Sequence, residues 1–278
     1  MAITKLNTLS REEYLKKRRK KKFIRFGVLI ALVFIFVGLL SYVSQRSKLR
    51  INDVVLSGGV LVAEKDIREE SLKFLGGSYF WLFPRNNSFI YPKNKLENYL
   101  KENFKRMDTI AISLENLNKM IITITERKPV AIWCNDLGGE KDKCYFLDAN
   151  STIFAEAPNF SGDAYFKYYG GVENENPIGL EYIASSTEFT RINNFIELVK
   201  KLEIKPLHLK STGEGEFSLV LFGGGEIYFD VKKPLEMTYK NLESLLNSSE
   251  ISNKNGILPV EYIDLRYGNK LFYKLKAN

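Results

Sequence analysis

The sequence predicts an α+β protein held in a membrane. One N-terminal transmembrane helix is followed by a strand-helix-helix-strand-strand module, then by a β-rich second domain with two helices and a C-terminal edge strand. Three observations predict this. Residues 26–45 carry no charge and follow a dense basic run. Two helix-period stretches and two alternating stretches come next, and beyond them short β-rich runs recur between Gly, Asn and Pro.

Charge sets the frame. The 278 residues include 41 Lys+Arg and 33 Asp+Glu, a formal charge of +8. Ten of the basic residues and two acids, Glu12 and Glu13, lie in residues 1–25, so the other 253 residues carry 31 of each sign. The surplus belongs to the tail, and no basic surface is left over for nucleic acid. A single His excludes a His-rich metal site, and two Cys exclude a four-thiolate zinc site. No metal or cofactor is expected.

Twenty helical residues at ~1.5 Å each span ~30 Å, the thickness of a bilayer's hydrocarbon. Thirteen of residues 26–45 are Leu, Ile, Val or Phe. At roughly −0.3 to −0.6 kcal/mol each, they favour insertion by about 4–8 kcal/mol. The stretch exceeds the ~7–15-residue core of a cleaved signal, and no Ala-x-Ala follows it. Ten cations precede it and only Arg46, Lys48 and Arg50 follow closely. The positive-inside bias therefore puts the N-terminus in the cytoplasm and residues 46–278 outside. Tail cations also touch anionic headgroups, at ~1 kcal/mol each near the surface. The expected division is a basic cytoplasmic tail (1–25), a transmembrane helix (26–45), a linker (46–50), a first exterior domain (51–127) and a second (128–278).

In the first domain, residues 51–56 read as a strand ending at Ser57-Gly58-Gly59. Residues 63–75 have helical spacing at Ile67, Ser71 and Leu75, stopped by Gly76-Gly77. Pro92 opens a second helix, with Leu96, Tyr99 and Leu100 on one face. Ile110, Ile112 and Leu114 alternate, as do Met120, Ile122 and Ile124, around a turn at 115–118. The aromatic run Tyr79-Phe80-Trp81-Leu82-Phe83 has two readings. Burial against the sheet is preferred, since such side chains most often supply core area. Attachment to the outer leaflet stays open, because the run comes soon after the anchor.

In the second domain, residues 130–134 and 144–147 flank a polar loop holding Gly138-Gly139, and Ile153-Phe154 starts another strand. Residues 187–202 are helical through Phe189, Ile192, Ile196 and Val199, with Lys200-Lys201 suiting the C-terminal dipole. Residues 207–209, 217–222 and 227–231 are strands, the last two joined across Gly223-Gly224-Gly225. Pro234 sits at a helix first turn, whose stripe is Leu235, Tyr239, Leu242 and Leu246. Residues 260–267 and 270–275 form the last hairpin, turning at Gly268-Asn269.

Catalytic patterns are missing. His208, in Leu207-His208-Leu209, reads as an exposed strand position, and no Gly-x-Ser-x-Gly elbow accompanies it. The triple glycine lacks the Lys-Ser/Thr of a phosphate loop. Cys134 and Cys144 stand at the base of a hairpin in an oxidising-capable space. They are either bridged, stabilising by roughly 2–3 kcal/mol, or free buried thiols.

The whole organisation resembles the bacterial cell-division family FtsQ/DivIB. The matching residues are Val54-Val55-Leu56-Ser57-Gly58, the junction from Ile121 through Glu126-Arg127-Lys128-Pro129 to Trp133, Cys144-Tyr145-Phe146-Leu147-Asp148, Lys233-Pro234-Leu235, and Glu261-Tyr262-Ile263-Asp264-Leu265-Arg266-Tyr267. The resemblance implies that the first exterior module is a POTRA domain. It further implies a non-enzymatic divisome scaffold, which binds bitopic partners of the FtsB and FtsL type and through them a septal peptidoglycan synthase. In that family a partner strand is added to the last sheet edge. Here that implies partner contacts at Tyr267, Lys270, Leu271, Phe272, Tyr273 and Lys274, where a terminal strand leaves unpaired backbone groups. The expected location is the cytoplasmic membrane at the division septum. The alternative is a membrane-anchored extracytoplasmic cell-wall enzyme, which would need a deep polar cleft. The cysteine pair and the 79–83 run are not hallmarks of the family.

Overall fold

The computed structural model describes residues 11–135, 143–159, 164–248, 251, 256–268 and 270–276. The first ten residues of the tail, the Gly138-Gly139 loop and Asn269 of the expected turn lie outside the described residues. The fold is mixed α+β, a long apolar N-terminal helix followed by a sheet-rich region. Two compact units divide it: Met1–Leu100 with Ile110–Ile124, and Lys101–Thr109 with Thr125–Asn278.

The first unit begins with α1 (Arg11–Ser44). Its segment 14–44 is long and apolar enough to cross a membrane. Its large apolar side chains are exposed apart from the half-buried Val37, and among the described residues only Ser41 and Ser44, near its C-terminal end, are buried. A 3-10 turn (Ser47–Leu49) leads into β1 (Asp53–Ser57), α2 (Glu64–Phe74), the two-residue strands β2 (Ser78–Tyr79) and β3 (Phe83–Pro84), α3 (Lys93–Asn103), β4 (Met107–Asn116) and β5 (Lys119–Glu126). β5 is central in a sheet of order β1-β5-β4, with β1 parallel to it from Asp53↔Lys119 to Ser57↔Thr123. Parallel pairing needs a long crossover, and α2 and α3 lie within it. Ile112, Met120, Ile122 and Ile124 are buried, as alternation requires, together with Ile67, Leu96 and Leu100 from the helices. Gly58 follows β1 at φ +89°, and a Cβ there would stand 2.5 Å from the Ile124 carbonyl oxygen. Only glycine fits.

The 79–83 run departs from the preferred expectation. Phe80 and Trp81 are 87% and 94% exposed, at the tip of the β2–β3 hairpin. Because Tyr79 pairs with Phe83, the three residues between them are turned out of the ladder. Their aromatic area is not in a core.

The second unit contains β6 (Ala131–Cys134), β7 (Cys144–Leu147), β8 (Ile153–Glu156), β9 (Lys167–Tyr169), α4 (Ser186–Lys201), β10 (Pro206–Gly213), β11 (Glu216–Leu221), β12 (Glu226–Asp230), α5 (Leu235–Leu246), β13 (Val260–Asp264) and β14 (Phe272–Leu275). Nine strands form one sheet in the order β14-β13-β12-β11-β10-β9-β6-β7-β8. α4 and α5 supply Phe189, Ile192, Phe195, Val199, Leu235 and Leu242 to the principal core against it. Successive residues of β6 divide between two clusters: Ala131 and Trp133 join that core, whereas Ile132 and Cys134 pack with Tyr169 and Ala157. Period two puts them on opposite faces. Trp133 is buried, and its Nε1–H donates to Gly170 O at 2.9 Å. Cys134 and Cys144 pair directly across β6 and β7 and are disulfide-bonded, with Cα atoms 4.1 Å apart.

The last hairpin is wider than a tight turn at Gly268-Asn269. The final pair is Asp264↔Phe272, so residues 265–271 form the connection. Leu265 turns inward, 2% exposed, and its N–H bonds Tyr228 O at 2.9 Å. That anchor ends β13 early.

Candidate functional site

The site is built around β14, the terminal strand of the nine, which has a neighbouring strand on one side only among the described residues. Its partner β13 carries a register shift between Val260 and Tyr262. One extra residue there swaps faces beyond it. Val260 and Ile263 both enter the core, while Tyr262 and Asp264 stand opposite Lys274 and Phe272 on the other face.

Arg266 organises that face. Its Nε and Nη2 donate to Asp264 Oδ1 and Oδ2 at 2.9 and 2.6 Å, and its Nη1 donates to Glu216 Oε2 at 2.5 Å. Burial alone would push the Asp264 carboxyl up, but hydrogen bonds from Arg266 outweigh it and hold the group below its ordinary range. The guanidinium lies 5.3 Å from the Tyr228 ring centroid. Burial, and then Glu226, push the Tyr228 hydroxyl up to about 12. From the other side, Lys233 donates to the Arg266 carbonyl, and Asn241 Nδ2 donates to Gly268 O at 2.8 Å. These bonds hold the first half of the connection, and Tyr267 and Phe272 meet edge to face at 5.4 Å. Tyr262, Asp264, Tyr267, Lys270 and Phe272 line a groove of about 460 Å³.

The structure separates the six residues expected to meet a partner. Phe272, Tyr273 and Lys274 lie in β14, whereas Tyr267, Lys270 and Leu271 lie in the connection. Tyr267, Lys270 and Phe272 line the groove. Leu271 and Tyr273 instead pack against the principal core. Lys274 is paired with Glu261 at 2.6 Å, which draws its pKa upward through that hydrogen bond. Tyr262, Asp264 and Arg266 were not singled out as site residues. The register shift that puts Tyr262 in the groove has no signature in a short alternating run.

His208 is also not the exposed strand position expected of it. Leu209 enters the principal core, so alternation puts His208 on the opposite face with Tyr169, their ring centroids 5.1 Å apart. His208 borders a hollow of about 390 Å³ with Lys167, Lys200 and Tyr165. Burial pushes the imidazole pKa down, and Nε2 has no hydrogen-bond partner among the described residues. Among the described residues, no group of three or more His, Cys, Asp or Glu could hold a metal ion. No protein-family model matches the chain, and no curated protein matches it.

Proposed function

We propose that the chain is a bitopic scaffold of the bacterial divisome, of the FtsQ/DivIB type, with its N-terminus in the cytoplasm. The observation that carries this is the β14 edge, open among the described residues, beside a groove with aromatic and charged walls. A partner of the FtsB or FtsL type adds a strand to β14, taking affinity from backbone hydrogen bonds and selectivity from the groove. Through that partner the scaffold is linked to septal peptidoglycan synthesis. The first unit supports a POTRA reading, since β1, α2, α3, β4 and β5 follow in that order, with the two-residue strands β2 and β3 between the helices, and β1 is parallel to β5. The disulfide supports an extracytoplasmic second unit, since such bonds persist in oxidising spaces.

The test is a fluorescent fusion on the N-terminus, combined with photo-crosslinking from position 272. Midcell accumulation during constriction and a crosslink to a small bitopic protein are expected. A functional fusion spread evenly over the envelope, with no such crosslink, would overturn the reading in favour of an anchored cell-wall enzyme.

A further inference from the structure

The β2–β3 hairpin spends aromatic residues where a water-exposed turn needs none. Phe80 and Trp81 hold φ +48° and +59°, the left-handed region that bulky side chains rarely adopt. Both are exposed, as are Phe89, at 70%, and Ile90 in the following turn. These residues are not scattered. The polypeptide of the same unit clamps them to the end of the apolar helix.

Ser41 Oγ of α1 donates to Leu82 O at 2.7 Å, one residue beyond Trp81. Asn87 Nδ2 donates to Ser44 O and Ser44 Oγ at 3.1 and 3.0 Å. Ser88 N–H donates to Leu49 O at 3.0 Å, just past the helix end. These bonds account for the burial of Ser41 and Ser44 on a helix otherwise exposed. Ser41 lies five residues before Arg46, ~7.5 Å along the axis. When α1 crosses a bilayer, the hairpin tip is level with its last apolar turn, below the cations Arg46, Lys48 and Arg50.

We infer that Phe80, Trp81, Phe89 and Ile90 form a second membrane contact, seated in the interfacial layer of the leaflet from which α1 emerges. Its occupant is lipid. An apolar patch held beside an apolar helix end continues the surface the helix already presents to acyl chains. Trp and Phe suit that layer, since an aromatic body there meets hydrocarbon while the indole N–H meets water and headgroups. The flanking cations attract phosphate. The contact holds the first unit at a fixed tilt instead of leaving it on a free linker. This inference needs α1 to span the membrane and is independent of the divisome reading.

The chain has two tryptophans, and Trp133 is buried, so lipid-dependent emission reports on Trp81. The full chain is reconstituted into phosphatidylcholine–phosphatidylglycerol vesicles, and the fraction that floats with them is taken. Lipids brominated near the top of the acyl chains are expected to quench the Trp81 emission, while aqueous iodide is not. The Trp81→Phe variant is expected to lose all bromolipid quenching. Iodide quenching without bromolipid quenching would show a water-facing loop and overturn the inference. Protection from both quenchers would mean that protein, such as a second copy, covers the patch, and would overturn it equally.

Discussion

At the scale of single side chains, two arginines hold down what apolar packing leaves loose. Arg127 Nε donates to Lys105 O at 3.0 Å, and its Nη1 donates to the buried Asp148. Asp148 Oδ1 meanwhile accepts from Asn150 and Thr152 N–H at 2.9 and 2.8 Å. Arg127→Ala would leave a buried carboxylate without its cation, a loss of about 3 kcal/mol. A urea midpoint lowered at constant slope would show it. An unchanged midpoint would mean that the two N–H groups suffice. Both residues stand in stretches conspicuous in the sequence, yet 21 positions separate them and nothing local announces the pairing. The Asp264–Arg266 pair is local by contrast, since two positions apart the side chains fold back on one another.

His208 gives a pH dependence at the same scale. Burial against Tyr169 lowers its pKa most, Lys167 and Lys210 lower it further, and Glu226 opposes them. A folded value below the unfolded one means that the fold favours the neutral ring. That contribution is complete above about pH 6.5 and is lost as pH falls through the folded value. His208→Leu should therefore flatten the stability profile on the acid side of pH ~6.5, measured by thermal unfolding of the detergent-solubilised chain. A parallel acid decline in both proteins would remove His208 as its source.

Elements differ in how plainly their residues declare them. α4 was visible from its 3–4 spacing, and Phe189, Ile192, Ile196 and Val199 are all buried. β9 was not, since three residues are too few to alternate. It is nonetheless the strand that joins the two halves of the sheet, parallel to both β6 and β10. That residues 270–275 hold a strand was legible in the sequence, but the inward turn of Leu271 and Tyr273 was not. That orientation follows from the wide connection and the shift in β13. Once a partner strand is added, β14 becomes an interior strand, and interior strands do not accept proline. Phe272→Pro should therefore abolish partner capture while the first unit stays folded. Phe272→Ala, which keeps the ladder and removes one groove wall, should weaken it. Equal binding by all three proteins would rule out β14 as the docking edge.

The long helix, the charge that precedes it and the distant disulfide make one coupled system at the scale of the molecule. Ten cations before the apolar stretch, against three soon after it, set the orientation proposed for the chain. That orientation delivers Cys134 and Cys144 to the oxidising side, where their direct pairing across β6 and β7 lets them close. Replacing Lys16, Lys17, Arg18, Arg19, Lys20, Lys21 and Lys22 with Gln leaves three cations before the stretch, Lys5, Arg11 and Arg25, and three after it. The bias vanishes, and some chains should insert inverted. In those the cysteines face glutathione and stay reduced. Thiol labelling of denatured, unreduced protein should find no free cysteine in the parent chain and a clear fraction in the stripped variant. Equal oxidation of the two would mean that the basic run does not orient the helix. Labelling of both cysteines in the parent chain would place the second unit in a reducing compartment, and the proposed orientation would have to be reversed.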